Sequence, residues 1–167
     1  MTNARPFHVL FVCTGNICRS AMAEAILKKL VFENNIRNIH VSSAGTWAVA
    51  GDMPPINTLV ACDEHCLDVR LHKATPVTEE LLDQADLILV MEKSHKHKLV
   101  HGMPRIRDKV FLLKQYQSGG PEADVKDPMG RDLDFFRHAF EEIEHEVKRI
   151  LPYLVEALDQ FQTGRLY

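Results

Sequence analysis

Apolar residues recur along the chain in two rhythms. Short, nearly continuous runs, "FHVLFV" (Phe7 to Val12), "DLILVM" (Asp86 to Met91) and "KVFLL" (Lys109 to Leu113), have the texture of strands buried on both faces. "IHVSSAG" (Ile39 to Gly45) predicts one more strand, ending at a glycine turn. Between these runs the spacing turns helical. "SAMAEAILKKLVFEN" brings Met22, Ile26, Leu27 and Leu30 to one side. Pro55 to Leu67 reads as a helix, and "TPVTEELLDQA" opens another with Thr78 as its N-cap. Asp132 to Gln162 carries the longest stripe, Phe136, Phe140, Ile143, Val147, Ile150, Leu151, Leu154 and Leu158, with Pro152 a place for a kink.

Strands alternating with helices predict an α/β domain with a parallel sheet and right-handed crossovers. No repeat, low-complexity tract or linker divides the chain, so residues 1–167 read as a single domain. Lys114 to Arg131 holds Gly119, Gly120, Pro121, Pro128 and Gly130 and reads as a long loop, the kind that usually carries function. In such folds the ligand crevice lies beyond the carboxyl ends of the strands.

Composition narrows the field. A length of 167 residues with 46% hydrophobic and 26% charged residues suits one globular core. The net charge of −3 gives no reason to expect nucleic-acid binding, so an anionic substrate needs a local positive site. No apolar run reaches membrane-spanning length and the first residues lack a signal-peptide pattern, which predicts a cytoplasmic protein with reduced thiols.

One stretch concentrates chemistry. In "FVCTGNICRSAMAEA" the pair Cys13 and Arg19 has C-x5-R spacing. Spacing alone is weak; the context is strong, because the motif follows a buried strand, contains Gly15 and Asn16, and runs into a helix. Such a loop turns successive N–H groups inward as an anion-binding nest, and the helix start adds its own positive end. Arg19 offers a bidentate fork for a phosphate or arsenate. The same dipoles favour the thiolate of Cys13, an in-line nucleophile toward a cradled phosphoryl group.

These residues resemble the low-molecular-weight protein tyrosine phosphatases, in the bacterial-type branch. "VLFVCTGNICRS", "VSSAG", "LHKAT", "DLILVME" and "KDPMG" fall in that family's order across almost the whole chain. The resemblance implies a four-stranded parallel sheet with helices on both faces and a phosphate-binding loop after the first strand. It also implies hydrolysis of phosphotyrosine through a cysteinyl-phosphate, with Cys13 as nucleophile, Arg19 as phosphate clamp and Asp127 as general acid and base. Asp124, three residues earlier, is the reserve acid. Thr14, Gly15, Asn16, Ile17 and Cys18 complete the loop.

Around the loop, Ser43 and His72 match positions that brace Asn16, and Ser20 matches a hydrogen-bond donor to the thiolate. Glu92 matches an acid that supports the histidine. Each also has a plain structural reading: a cap, a loop residue, a solvated charge. Cys18 reads either as a reserve thiol for a reversible disulfide or as a small filler. Met129 stands where the family usually has an aromatic wall; Trp47, or less strongly Tyr116, is the replacement, and Trp47 reads equally as a packing residue. Ala21 replaces a frequent proline. Ile17 stands where arginine phosphatases tend to carry threonine, which favours phosphotyrosine.

Cys62, His65 and Cys66 fall short of a zinc site, and no metal or cofactor is expected. His95, His97 and His101 read as a solvated basic face. The expected partner is a tyrosine-phosphorylated protein, a bacterial tyrosine kinase of polysaccharide export being the family-level candidate. Two rivals stand beside this reading. One is a thiol-dependent arsenate reductase, which needs further cysteines that "MEKSHKHKLVHGMP" lacks. The other is a non-catalytic phosphoprotein-binding module.

Overall fold

The computed structural model describes residues 5–117 and 123–165. Gly119, Gly120 and Pro121 of the long loop lie outside the described residues. Strands β1 (Phe7–Cys13), β2 (Ile39–Gly45), β3 (Leu87–Val90) and β4 (Val110–Leu112) form one sheet in the order β2-β1-β3-β4. Every pairing is parallel. The helices are α1 (Arg19–Glu33), α2 (Ile56–Asp63), α3 (Glu79–Gln84), α4 (Lys93–Gly102) and α5 (Leu133–Gln162), with a 3-10 turn at Pro104–Lys109.

Alternation along β1 divides its side chains between two cores. Phe7, Val9, Phe11 and Cys13 join Met22, Ile26, Leu27, Phe136, Phe140 and Val147 on one face. Leu10 and Val12 join Ile88, Val90, Leu82, Leu99, Val110 and Leu112 on the other. Both faces are covered, so β1 is apolar except for the buried His8, as expected of a strand inside a parallel sheet. Because β1 is flanked by β2 on one side and β3 on the other, its carboxyl end is where strand order reverses and a ligand crevice opens. Cys13 is the last residue of β1.

Thr78 caps α3 as expected, accepting from the Leu81 N–H at 3.1 Å. Helix α5 passes through Pro152 without an assigned break. Helix α2 stops at Asp63, earlier than its spacing predicts, because Cys66 adopts φ 58° and Leu67 N–H turns back to Cys62 O at 3.0 Å. Helix α4 is the larger surprise. Its only buried side chains are His95 and Leu99, so it has little apolar stripe to betray it. It starts instead from a capping box between Glu92 and His95. No helix among the described residues is long and apolar enough to cross a membrane.

Candidate active site

The loop between β1 and α1 doubles back through Asn16, whose φ of 56° lies in the left-handed region. Asparagine tolerates that conformation better than most residues, and here its polar groups are tied down. Its Nδ2 donates to Ser43 Oγ and Ser20 Oγ, both at 2.8 Å, and its Oδ1 accepts from Thr75 N–H at 2.8 Å. His72 Nε2 donates to the Asn16 carbonyl at 2.6 Å. Ser43 and His72 therefore brace Asn16 as expected. The end of β2 must also come close: a Cβ on Gly45 would run into Thr14 O and lie 2.8 Å from Ala48 Cβ. That approach lets Thr46 and Trp47 N–H donate to Cys13 O and Thr14 O, each at 2.9 Å.

Two donors face the sulfur of Cys13. Ser20 Oγ lies 2.9 Å away and Asn16 N–H 3.3 Å away. Ser20 thus stands beside the sulfur as expected. Arg19, the first residue of α1, is 1% exposed, an unusual burial for a guanidinium and one that requires partners. Its Nη1 donates to the Glu92 carboxylate and to Val125 O at 2.8 Å, and its Nη2 lies 3.2 Å from Asp127 Oδ2. Burial works against the Glu92 charge, but the Arg19 hydrogen bond and charge outweigh it and hold that carboxyl below its ordinary value.

Cys13, Thr14, Gly15, Ile17, Cys18, Arg19, Asp127 and Met129 line a cavity of about 160 Å³. A single small pocket thus holds a sulfur, a guanidinium and a carboxylate beside a helix start, with room for one oxyanion. Asp127 Oδ1 accepts from Met129 N–H at 3.1 Å, which fixes the carboxylate over the turn made by Pro128. Cys18 is buried against Thr58 Oγ1 and Met129 Sδ, each 3.2 Å from its sulfur. Burial pushes its thiol up to about 12.

Several expectations need correction. Glu92 does not support His72; it grips Arg19, and the acid beside His72 is Glu24, whose Oε2 lies 3.9 Å from Nδ1 and also accepts from Ser43. Asp124 does not line the pocket that Asp127 lines; its Oδ1 accepts from Lys93 N–H at 2.8 Å at the start of α4 instead. Tyr116 is buried with its ring 5.2 Å from that of Phe111, so it forms no wall of the cleft. Trp47 does not pack inside: it is 77% exposed, with Lys98 Nζ 4.9 Å above its ring. His97 and His101 are exposed as expected, but His95 is 3% exposed and reaches Thr14 Oγ1 at 2.8 Å.

Cys62 is buried, His65 stacks on Phe140 at 4.1 Å, and Cys66 is exposed, so the three face different surroundings. Glu24, absent from the sequence reading, and His95, placed there on a solvated face, both had a visible signal. Glu24 is a single acid inside the apolar stretch "AMAEAIL", and His95 sits three residues after Glu92, the capping-box interval.

Comparison with known proteins agrees with this geometry. A family described as low molecular weight phosphotyrosine protein phosphatase matches residues 8–162. A protein-arginine-phosphatase of Bacillus subtilis is 37% identical over 87% of this chain and 95% of its own. The Escherichia coli K12 low molecular weight protein-tyrosine-phosphatase Wzb is 31% identical over 85% of this chain and 91% of its own. A solved YwlE arginine phosphatase, a cysteine-to-serine mutant with a phosphorylated active site serine, superposes with a TM-score of 0.85 at 36% identity, covering 89% of this chain and 96% of that one. The chain belongs to the low molecular weight phosphotyrosine protein phosphatase family.

Proposed function

We propose that this chain hydrolyses phosphotyrosine in proteins, with Cys13 as the nucleophile. The observation that carries the reading is the shared cavity in which the Cys13 sulfur, the buried Arg19 fork and the Asp127 carboxylate converge. A phosphoryl group in that cavity meets the loop N–H groups and Arg19, donors aimed at charge that spreads over its oxygens. The sulfur attacks phosphorus as the P–O bond breaks, and Asp127, protonated, gives its proton to the leaving phenolate oxygen. Water then attacks the phosphocysteine, Asp127 takes its proton, and inorganic phosphate leaves. Ser20, 2.9 Å from the sulfur, donates to the thiolate and makes it a better leaving group in that second step.

Ile17 and Met129 give the cavity apolar lining, and Trp47, exposed and tied by its backbone to Thr14, stands as a further aromatic surface near the loop. An aromatic leaving group suits such walls. The second reading is phosphoarginine, favoured by the name of the Bacillus subtilis relative. A guanidine leaving group brings N–H donors, and Ile17 offers them no acceptor. A tyrosine-phosphorylated protein, such as a bacterial tyrosine kinase, is the partner this reading requires. All four cysteines are free thiols, which suits a reducing, cytoplasmic setting for the nucleophile.

Peptides bearing phosphotyrosine, phosphoserine or phosphoarginine separate these readings. The expected result is highest kcat/KM on phosphotyrosine, with Ile17→Thr shifting the preference toward phosphoarginine. Preference for phosphoarginine by the unaltered chain overturns the substrate assignment. Thiol-coupled arsenate reduction without phosphatase turnover overturns the reaction.

A further inference from the structure

Arg19 and Thr14 stand at opposite ends of the phosphate loop, and one imidazole outside the loop links them. His95 lies on α4, is 3% exposed, and takes no part in the steps proposed above. Its Nδ1 accepts from Glu92 N–H at 3.1 Å. That contact leaves the proton on Nε2, which donates to Thr14 Oγ1 at 2.8 Å. Glu92 in turn holds Arg19 through its carboxylate, and Arg19 lies 3.2 Å from Asp127. The chain of contacts therefore runs Thr14, His95, Glu92, Arg19, Asp127, from the residue after the nucleophile to the general acid.

We propose that His95 is a positioning residue for the phosphate site, holding the start of the loop through Thr14 and the arginine clamp through the Glu92 cap. This rests on the phosphatase reading for its purpose but on geometry for its existence. Two features favour a dedicated role over simple helix capping. Glu92 and His95 already satisfy one another as a capping box through Nδ1 and the Glu92 carboxylate, so the second ring nitrogen is free to be spent on the loop. That nitrogen meets a hydroxyl of the loop itself, next in sequence to Cys13.

The neutral ring is the form the geometry needs. A second proton would sit on Nδ1, facing the Glu92 N–H, donor against donor. The charged groups around the ring are Glu92, Arg19, Asp124 and Asp127. Burial is the largest influence and keeps the imidazole below its ordinary value, against the pull of the three carboxylates. The box therefore stays closed at neutral pH.

The test is the dissociation constant for inorganic phosphate, measured by calorimetry on the full chain, beside kcat and KM on an aryl phosphate. His95→Ala should weaken phosphate binding by about tenfold, the scale of one lost hydrogen bond at a polar site, and lower kcat more than it raises KM. Thr14→Val added to His95→Ala should cost less than about twofold more, since both remove one link. His95→Gln, which keeps an acceptor for the cap and an N–H for Thr14, should restore most of the affinity. His95→Asn keeps the cap but falls short of Thr14 and should not restore it; this Gln and Asn pair decides the matter if the alanine variant fails to fold. Unchanged phosphate affinity in His95→Ala, fully multiplicative losses in the double variant, or equal rescue by Asn and Gln overturns the proposal. Phosphate binding reads the site without turnover, so an inactive unaltered chain would count against the phosphatase reading alone.

Discussion

Asp127 and Arg19 face one another across the pocket, with Oδ2 3.2 Å from Nη2. The proposed general acid and the proposed phosphate clamp are thus in contact before any substrate arrives. An incoming phosphoryl group brings its own oxygens to the guanidinium and so competes directly with Asp127 for Arg19. The Asp127 side chain itself is 43% exposed, within reach of solvent and of the pocket it lines.

Asp127→Ala should therefore act unevenly across substrates. Turnover of aryl phosphates with poor leaving groups should fall by roughly 10²–10⁴, while those with good leaving groups fall far less in the step that forms the phosphocysteine. Single-turnover rates across a series of phenols check this. Equal slowing for every phenol contradicts an acid role.

Cys13→Ser should lower kcat by at least about 10³ and leave the dissociation constant for phosphate within about threefold. The donors proposed to hold the oxyanion are backbone groups and Arg19, which the substitution leaves in place. Loss of phosphate binding in that variant would mean that the sulfur holds the loop rather than reacts.

The thiols should divide by surroundings. Burial pushes Cys18 and Cys62 up to about 12, so at neutral pH both remain thiols, whereas Cys66 is exposed. Brief alkylation at neutral pH followed by peptide mapping should label Cys66 and spare Cys18 and Cys62. Early labelling of Cys18 would contradict its burial against Thr58 and Met129.

Acid should weaken the fold in part through His8. Burial, aided by the charge of His40, lowers its pKa to about 4, while an unfolded histidine titrates near 6.5. Between those values the unfolded chain binds more protons than the folded one, so stability falls as pH drops from 6.5 to about 4. His8→Gln, able to keep a bond to Ser42 Oγ, removes that term. Its melting temperature relative to the unaltered chain should rise by a few degrees between pH 7 and pH 4. A constant difference across that range contradicts the burial of a neutral ring.

What the sequence disclosed follows from how strongly each feature is written in it. Strands β1, β3 and β4 were legible because burial leaves them little but apolar residues. Strand β2, with His40, Ser42 and Ser43, was marked by its ending at a glycine turn and is found with the predicted bounds, Ile39–Gly45. Cys13 and Arg19 stood out because few arrangements place a cysteine, glycine and arginine at a strand-to-helix turn. Asp127 was singled out instead by its place before Pro128 in the long loop and by the family resemblance. Helix α4 was hidden because a polar capping box and two buried side chains stand in for an apolar stripe. The resemblance paired Glu92 with the histidine, and the sequence does not reveal which of two basic groups a carboxylate meets; Arg19, only 1% exposed, needed it more than His72. Trp47 was left open between wall and packing residue, and Tyr116 kept as a weaker wall, for a similar reason. Nothing local distinguishes an aromatic ring under α5 from one left in solvent.

The central claim is a bond between the Cys13 sulfur and phosphorus. Mixing Asp127→Ala protein with an aryl phosphate bearing a good leaving group, quenching early and mapping peptides by mass spectrometry tests it directly. Slow breakdown of the intermediate in that variant should leave a phosphoryl adduct on the peptide containing Cys13, formed in step with one equivalent of released phenol. Phenol release without an adduct there, or an adduct on another residue, contradicts the account.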